Sequence, residues 1–124
     1  MDQHHDPSQD AERLRRFKAD FFKALAHPLR IWILELLRTG PLTVSQIQAA
    51  TDAPGTSVSQ QLAVLRSRAI VATERRGTTI FYRVPNLELF DLLDVARGIF
   101  NANLSDTIDM LRLVDRETAS MAKR

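Results

Sequence analysis

Cysteine is absent from this chain of 124 residues, and glycine, with four positions, and histidine, with three, are scarce. Without a thiol there is no disulfide framework and no cysteine nucleophile. Glycines at four scattered positions build no glycine-rich phosphate loop. His4 and His5 lie at the very start of the chain and His27 precedes Pro28 at a helix start, where a cap is its expected role. No catalytic set assembles from these residues, so an enzyme is not expected. No apolar run approaches the ~18 residues of a membrane span. The opening "MDQHHDPSQDAERLRR" also lacks a basic stretch followed by an apolar core. Neither a membrane segment nor a secretory signal is expected, and the cytoplasm is the expected location.

A strong excess of one charge is lacking too, since the formal net charge is only +2. Its distribution is more informative. Residues 43–84 hold five arginines against two acids, whereas residues 85–124 hold five basic residues against seven acids. A basic middle is the electrostatic footprint of a nucleic-acid binder. With 44% apolar and 26% charged residues, the composition is that of one soluble globular domain with a modest core.

Periodicity divides the chain. Residues 1–11 have none and read as a flexible tail, residues 12–115 as the folded domain, and residues 116–124 as a second tail. From Glu12, Leu14, Phe17, Phe21 and Leu25 recur at helical spacing, and Pro28 ends that helix by pushing His27 out of the helical region. Pro28 then opens "LRIWILELLR", apolar nearly all round and expected to be buried. After Gly40-Pro41, Thr43 caps "VSQIQAA", with Val44, Ile47 and Ala50 facing inward. "TDAPGT" is a turn, and Thr56 or Ser57 caps the next helix, whose apolar stripe is Val58, Leu62, Leu65 and Ala69. Val71, Thr73, Ile80, Tyr82 and Val84 then alternate as two strands around Arg76-Gly77-Thr78. A long final helix, capped by Asn86, carries Leu89, Leu93, Ala96, Phe100, Asn103, Thr107, Met110 and Val114 at alternating steps of four and three. Leu92, Ile99, Ile108 and Leu111 widen that stripe.

The expected fold is mainly α, formally α+β, in the order α-α-α-α-β-β-α, the parts of a winged helix-turn-helix. The helix "TSVSQQLAVLRSRA" loads its first turns with Thr56, Ser57, Ser59, Gln60 and Gln61 and saves Arg66 and Arg68 for its end. A surface helix that met only water would favour Glu and Lys pairs. Uncharged side chains that both donate and accept suit base edges in a major groove, where Gln pairs bidentately with adenine and Thr or Ala meets a thymine methyl. Ser45 and Gln46 of the preceding helix join the candidate DNA-binding set. The hairpin adds Arg75, Arg76, Gly77, Thr78, Thr79 and Tyr82, its arginines directed at the DNA backbone or a minor groove.

Three segments, "FFKALAHPLRIWILELL", "SVSQQLAVLRSRAIV" and "RRGTTIFYRV", resemble the signature segments of the ArsR/SmtB family of bacterial winged-helix transcriptional regulators. The resemblance spans roughly Phe17 to Ala96. It implies a homodimer built from the first and last helices, bound to an inverted-repeat DNA operator as a repressor. The apolar stripes supply the interface candidates Leu14, Phe17, Phe21, Leu89, Leu93, Ala96, Phe100, Asn103, Met110 and Leu111. Two departures stand out. Arg68-Ala69 occupies the place where the family ends its recognition helix with Ala-Gly, and a left-handed Ala69 would cost on the order of 1 kcal/mol relative to Gly. Family members that sense metals carry cysteines in the helix corresponding to Val44–Ala50, or an Asp/His/Glu set in the last helix. Here the first segment is "VSQIQAA" and the last helix has no histidine.

No cofactor is therefore expected. One alternative is a nickel- or zinc-responsive regulator that uses His4 and His5, flanked by Asp2 and Asp6, as ligands. Another is a winged helix serving as a protein-protein interaction module, whose binding would depend only weakly on salt, unlike that of a DNA binder.

Overall fold

The computed structural model describes residues 6–122. It contains α1 (Pro7–Leu25), α2 (Pro28–Leu36) followed by a 3-10 turn, α3 (Val44–Thr51), α4 (Gly55–Ser67), β1 (Ala72–Arg76), β2 (Thr79–Arg83) and α5 (Glu88–Ala122). The chain divides into two compact units, one ending at Asn86 and the other beginning at Leu87. Among the described residues no helix is long and apolar enough to cross a membrane.

The first unit has its core where α2, α3 and α4 meet. Ile33 and Leu34 of α2, Ile47 of α3, and Val58, Leu62 and Leu65 of α4 are fully buried, closed over by Leu37, Ile70, Val71 and Val84. Each such side chain contributes roughly 1.5–3 kcal/mol on leaving water. Only the last turn of α1, Ala24 and Leu25, is buried. Trp32, expected inside with the rest of α2, is 46% exposed, because with Ile33 and Leu34 turned to the core the helical period carries Trp32 to the outer side. Ala50 is exposed as well, and the inward side of α3 is made by half-buried Val44 with buried Ile47 and Thr51.

Local chemistry sets the helix ends. The Asp6 carboxylate accepts from the Ser8 amide at 2.9 Å and the Ser8 hydroxyl at 2.8 Å, and Pro7 fills the first helical position. α1 therefore begins at Pro7, inside the segment read as a tail, because an Asp-Pro start needs no apolar periodicity to nucleate. The two Ser8 hydrogen bonds lower the Asp6 pKa. The contribution of this cap is thus present above the ordinary carboxylate pKa and is lost as pH falls through the lowered one. His27 caps α2 through Nδ1, which accepts from the Leu29 amide at 3.1 Å, as its place before Pro28 led one to expect. Thr43 caps α3 in a reciprocal capping box with Gln46.

α4 departs from expectation at both ends. It begins at Gly55 after Pro54, with no side-chain cap from Thr56 or Ser57, both of which lie within the helix. At the other end, the Ile70 amide donates to Leu65 O and the Ala69 amide to Arg66 O, each at 3.0 Å. This Schellman pattern places Ala69 at the left-handed position, with φ +57°, and turns it out of the apolar stripe into solvent. Buried Leu65 and Ile70 complete the motif. Ala69→Gly is expected to stabilise the fold by about 1 kcal/mol by removing the Cβ penalty, read as a raised urea midpoint with an unchanged m-value.

β1 and β2 are antiparallel with Arg76 opposite Thr79, leaving the two-residue turn Gly77-Thr78. Gly77 has φ +63° and Thr78 is not left-handed, the pattern of a turn with glycine in its first central place. Leu42 adds an isolated bridge to Tyr82 through two hydrogen bonds, at 3.0 and 2.7 Å. The hairpin is thereby tied to the segment leading into α3.

α5 has 35 residues, about 52 Å at 1.5 Å per residue. It runs to Ala122, through residues assigned above to a C-terminal tail. Leu89 and Phe90 are buried and Leu92 and Leu93 half-buried, but beyond them the helix is exposed on all sides within a single chain.

Candidate nucleic-acid interface

α3, a three-residue turn and α4 form the helix-turn-helix. Asp52 ends α3 in a left-handed conformation, φ +53°, its amide donating to Gln48 O at 2.9 Å. A Cβ on Gly55 would lie 3.1 Å from the Gln48 amide group, so glycine here lets α4 start close against α3. With Val58, Leu62 and Leu65 turned inward, the opposite side of α4 presents Thr56, Ser59, Gln60, Ala63, Arg66 and Ser67, all exposed. Thr56 to Gln60 carry no charge, and no side chain caps the helix. The Ser57 and Val58 amides donate to Pro54 O, so the Gly55 and Thr56 amides are the donors left at the positive end of the helix dipole.

Ser59, Ala63, Arg66 and Ser67 line one wall of a shallow cleft of about 420 Å³, and Tyr82 of β2 lines the other. The structure thus brings five of the expected residues, Thr56, Ser59, Gln60, Arg66 and Tyr82, to one surface. Ala63 and Ser67 were not singled out from the sequence, although they follow Ser59 at helical steps of four and eight. Arg68 is exposed at the end of the helix, and Ser57 is half-buried.

Gln61 and Gln46 have other commitments. Gln61 is half-buried on the flank of α4, and its Oε1 accepts from Arg30 Nε at 2.7 Å. Gln46 is exposed, but its Oε1 accepts from the Thr43 amide at 2.9 Å in the capping box. Ser45 is exposed in the first turn of α3. Arg30, which also donates from Nη1 to Ala24 O at 3.1 Å, gave no signal in the sequence because its partners are set only by the fold.

On the hairpin, strand alternation sends the two arginines to opposite faces. Arg75 shares its face with Thr73, Ile80 and Tyr82, and its Nε donates to Gly77 O at 2.9 Å. Ile80, on that same face, is 49% exposed. Arg76 lies on the other face, paired with Glu74 at 3.3 Å and stacked over Phe81 at 4.6 Å from the ring centre. Gly77, Thr78 and Thr79 are exposed at the tip. Arg66, Arg68 and Arg75 make no ion pair with another described residue, whereas Arg76 is neutralised locally.

Among the described residues no group of three or more histidine, cysteine or acidic side chains is placed to hold a metal. His4 and His5 lie outside the described residues.

Of the expected interface side chains, Leu14, Phe17, Phe100, Met110 and Leu111 are exposed, as are Ala96 and Asn103. Phe21 is half-buried and stacks on Phe17, with ring centres 6.0 Å apart. Leu89 is only 6% exposed within a single chain, and Leu93 is half-buried.

Comparison with known proteins agrees with this architecture. Residues 27–73 match the family described as bacterial regulatory protein, arsR family. The chain is 39% identical over 103 residues to the uncharacterized HTH-type transcriptional regulator Rv0081 of Mycobacterium tuberculosis, covering 82% of this chain and 90% of that protein. The crystal structure of Rv0081 superposes with a TM-score of 0.70 at 37% identity, covering 84% of this chain and 99% of that one. The biofilm growth-associated repressor of Agrobacterium fabrum is 37% identical over 84 residues, 68% of this chain and 72% of that protein. A homodimeric winged helix-turn-helix DNA-binding domain from Mycobacterium bovis, solved by NMR, has a TM-score of 0.69 at 29% identity, covering 83% of this chain and 94% of that one. With its helix-turn-helix, two-stranded wing and this extent of similarity, the chain belongs to the arsR family of bacterial transcriptional regulators.

Proposed function

We propose that two copies of this chain bind an inverted-repeat operator in double-stranded DNA and repress the gene beside it, acting at the nucleoid in the bacterial cytoplasm. The observation that carries this reading is the exposed face of α4, an uncharged row of Thr56, Ser59 and Gln60 around the small Ala63, with Arg66 at its edge in no ion pair with another described residue. A charged row would be repelled or would bind any sequence, whereas this one offers donors, acceptors and methyl contacts to base edges. Ala63 lets the helix approach closely and suits a thymine methyl. Arg66, Arg68 and the Tyr82 hydroxyl serve flanking phosphates, and the uncapped amides at Gly55 and Thr56 serve another.

The pairing of copies rests on apolar surface. On α5, large apolar side chains including Val95, Ile99, Phe100, Leu104, Ile108 and Leu111 are 40–63% exposed, and on α1 Leu14, Phe17 and Phe22 are 52–64% exposed. Surface of this kind on a small regulator marks a protein contact, and a second copy with two-fold symmetry matches a palindromic site.

In the wing, Arg75 and Arg76 have different parts. Arg75→Ala is expected to weaken binding to all duplexes alike and to flatten the log-log salt dependence by about 0.9. Glu74→Gln is expected to strengthen binding to all sequences, because it removes a negative charge and frees Arg76. Both are read by fluorescence anisotropy across a salt series. The test of the whole reading is binding to duplexes from a random library, where the protein enriches a palindrome and a Gln60→Ala chain loses preference at one base of each half-site.

A further inference from the structure

Arg30 stands in the first turn of α2, where a cation opposes the helix dipole and brings α2 itself no benefit. Its guanidinium is directed away from α2's needs. Nη1 donates at 3.1 Å to Ala24 O, one of the terminal carbonyls that α1 cannot satisfy within itself, and Nε donates at 2.7 Å to Gln61 Oε1 in the middle of α4. A guanidinium only donates, so the Gln61 amide must turn its oxygen inward, which fixes that side chain against the flank of α4. The bond to Gln61 is short and charge-assisted, and both partners are half-buried, so solvent screens it little. One planar group thus joins the end of α1, the start of α2 and the centre of α4.

We propose that Arg30 is a positioning residue for DNA recognition, holding α4 at its reading angle through Gln61 and anchoring that angle to α1. This rests on the DNA-binding reading above. Gln61 then acts as part of this anchor and not as a base reader. Hydrogen bonds to base edges fail when a donor moves by about an ångström or swings well out of line, whereas attraction to phosphates falls slowly with distance. Loss of the anchor therefore removes sequence-specific affinity and spares non-specific affinity.

The test compares wild type with Arg30→Met, Gln61→Met, the double variant and Gln61→Glu. Each is titrated with the duplex that wild type enriches from a random library and with a scrambled duplex of equal length. A hydrogen bond to a charged group is worth enough for each Met variant to lose about tenfold on the enriched duplex and less than about twofold on the scrambled one. The double variant loses no more than either single one, since both remove the same link. Gln61→Glu keeps the enriched-site affinity of wild type within about threefold, because a carboxylate also accepts from Arg30. The proposal is overturned if Arg30→Met binds the enriched duplex like wild type. It is equally overturned if the Met variants weaken both duplexes alike, or if Gln61→Glu loses as much as Gln61→Met. Gln61→Met removes only the acceptor at the rim of the core, and decides the question should Arg30→Met fail to fold. A wild-type chain that enriches no duplex overturns the DNA-binding reading and this proposal with it.

Discussion

Phe100→Glu is expected to leave the protein folded but monomeric at micromolar concentration. Phe100 is 63% exposed on α5 within a single chain, so the substitution disturbs no core of its own protomer. In the paired state a carboxylate at that position would be buried among apolar side chains, at a cost of several kcal/mol. Sedimentation reads the change in mass, and circular dichroism shows the helices retained. Operator affinity should fall by about 100-fold or more, since two half-sites are then no longer held by one molecule. If Phe100→Glu remains dimeric, the apolar face of α5 is not where the copies meet.

Gln60→Ala is expected to cost ~1–3 kcal/mol on the selected duplex, about 5- to 150-fold in affinity, with little change on a scrambled one. Gln60 is exposed between Thr56 and Ala63, and no hydrogen bond holds its amide to another described residue. A bidentate contact to adenine would be lost with the side chain, so the variant should accept other bases at that position. Its melting temperature should be unchanged, which separates this effect from the anchoring role of Gln61 on the adjacent flank.

The legible parts of the fold were those set by neighbours in sequence. His27 before Pro28 and Thr43 three residues before Gln46 act as caps because their partners are two or three residues away. The buried triad Val58, Leu62 and Leu65 follows from helical spacing, and the hairpin from a glycine between alternating segments. Ala69 in a left-handed position was open to expectation because the motif that ends α4 is local.

Long-range partners were hidden. Gln61 looks like its neighbour Gln60, and only the fold brings Arg30, thirty-one positions earlier, to its amide. Trp32 and Ile80 are apolar but exposed, and period alone does not say which side of a short element meets the core. The ends of α1 and α5 were missed for a similar reason, because residues 7–11 and 116–122 are helical without an apolar stripe to announce it. On the wing, alternation separates Arg75 from Arg76, but Glu74 and Phe81 as companions of Arg76 required the strand register.

Sequencing the DNA that the intact protein retains from a random duplex library, at near-physiological salt, tests the central claim most directly. Two copies that each present α4 to a major groove should enrich two half-sites in inverted orientation, their centres one helical turn, about 10 base pairs, or a multiple of it apart. Retention of the library with no enriched sequence, or enrichment of a single unpaired half-site, would contradict it.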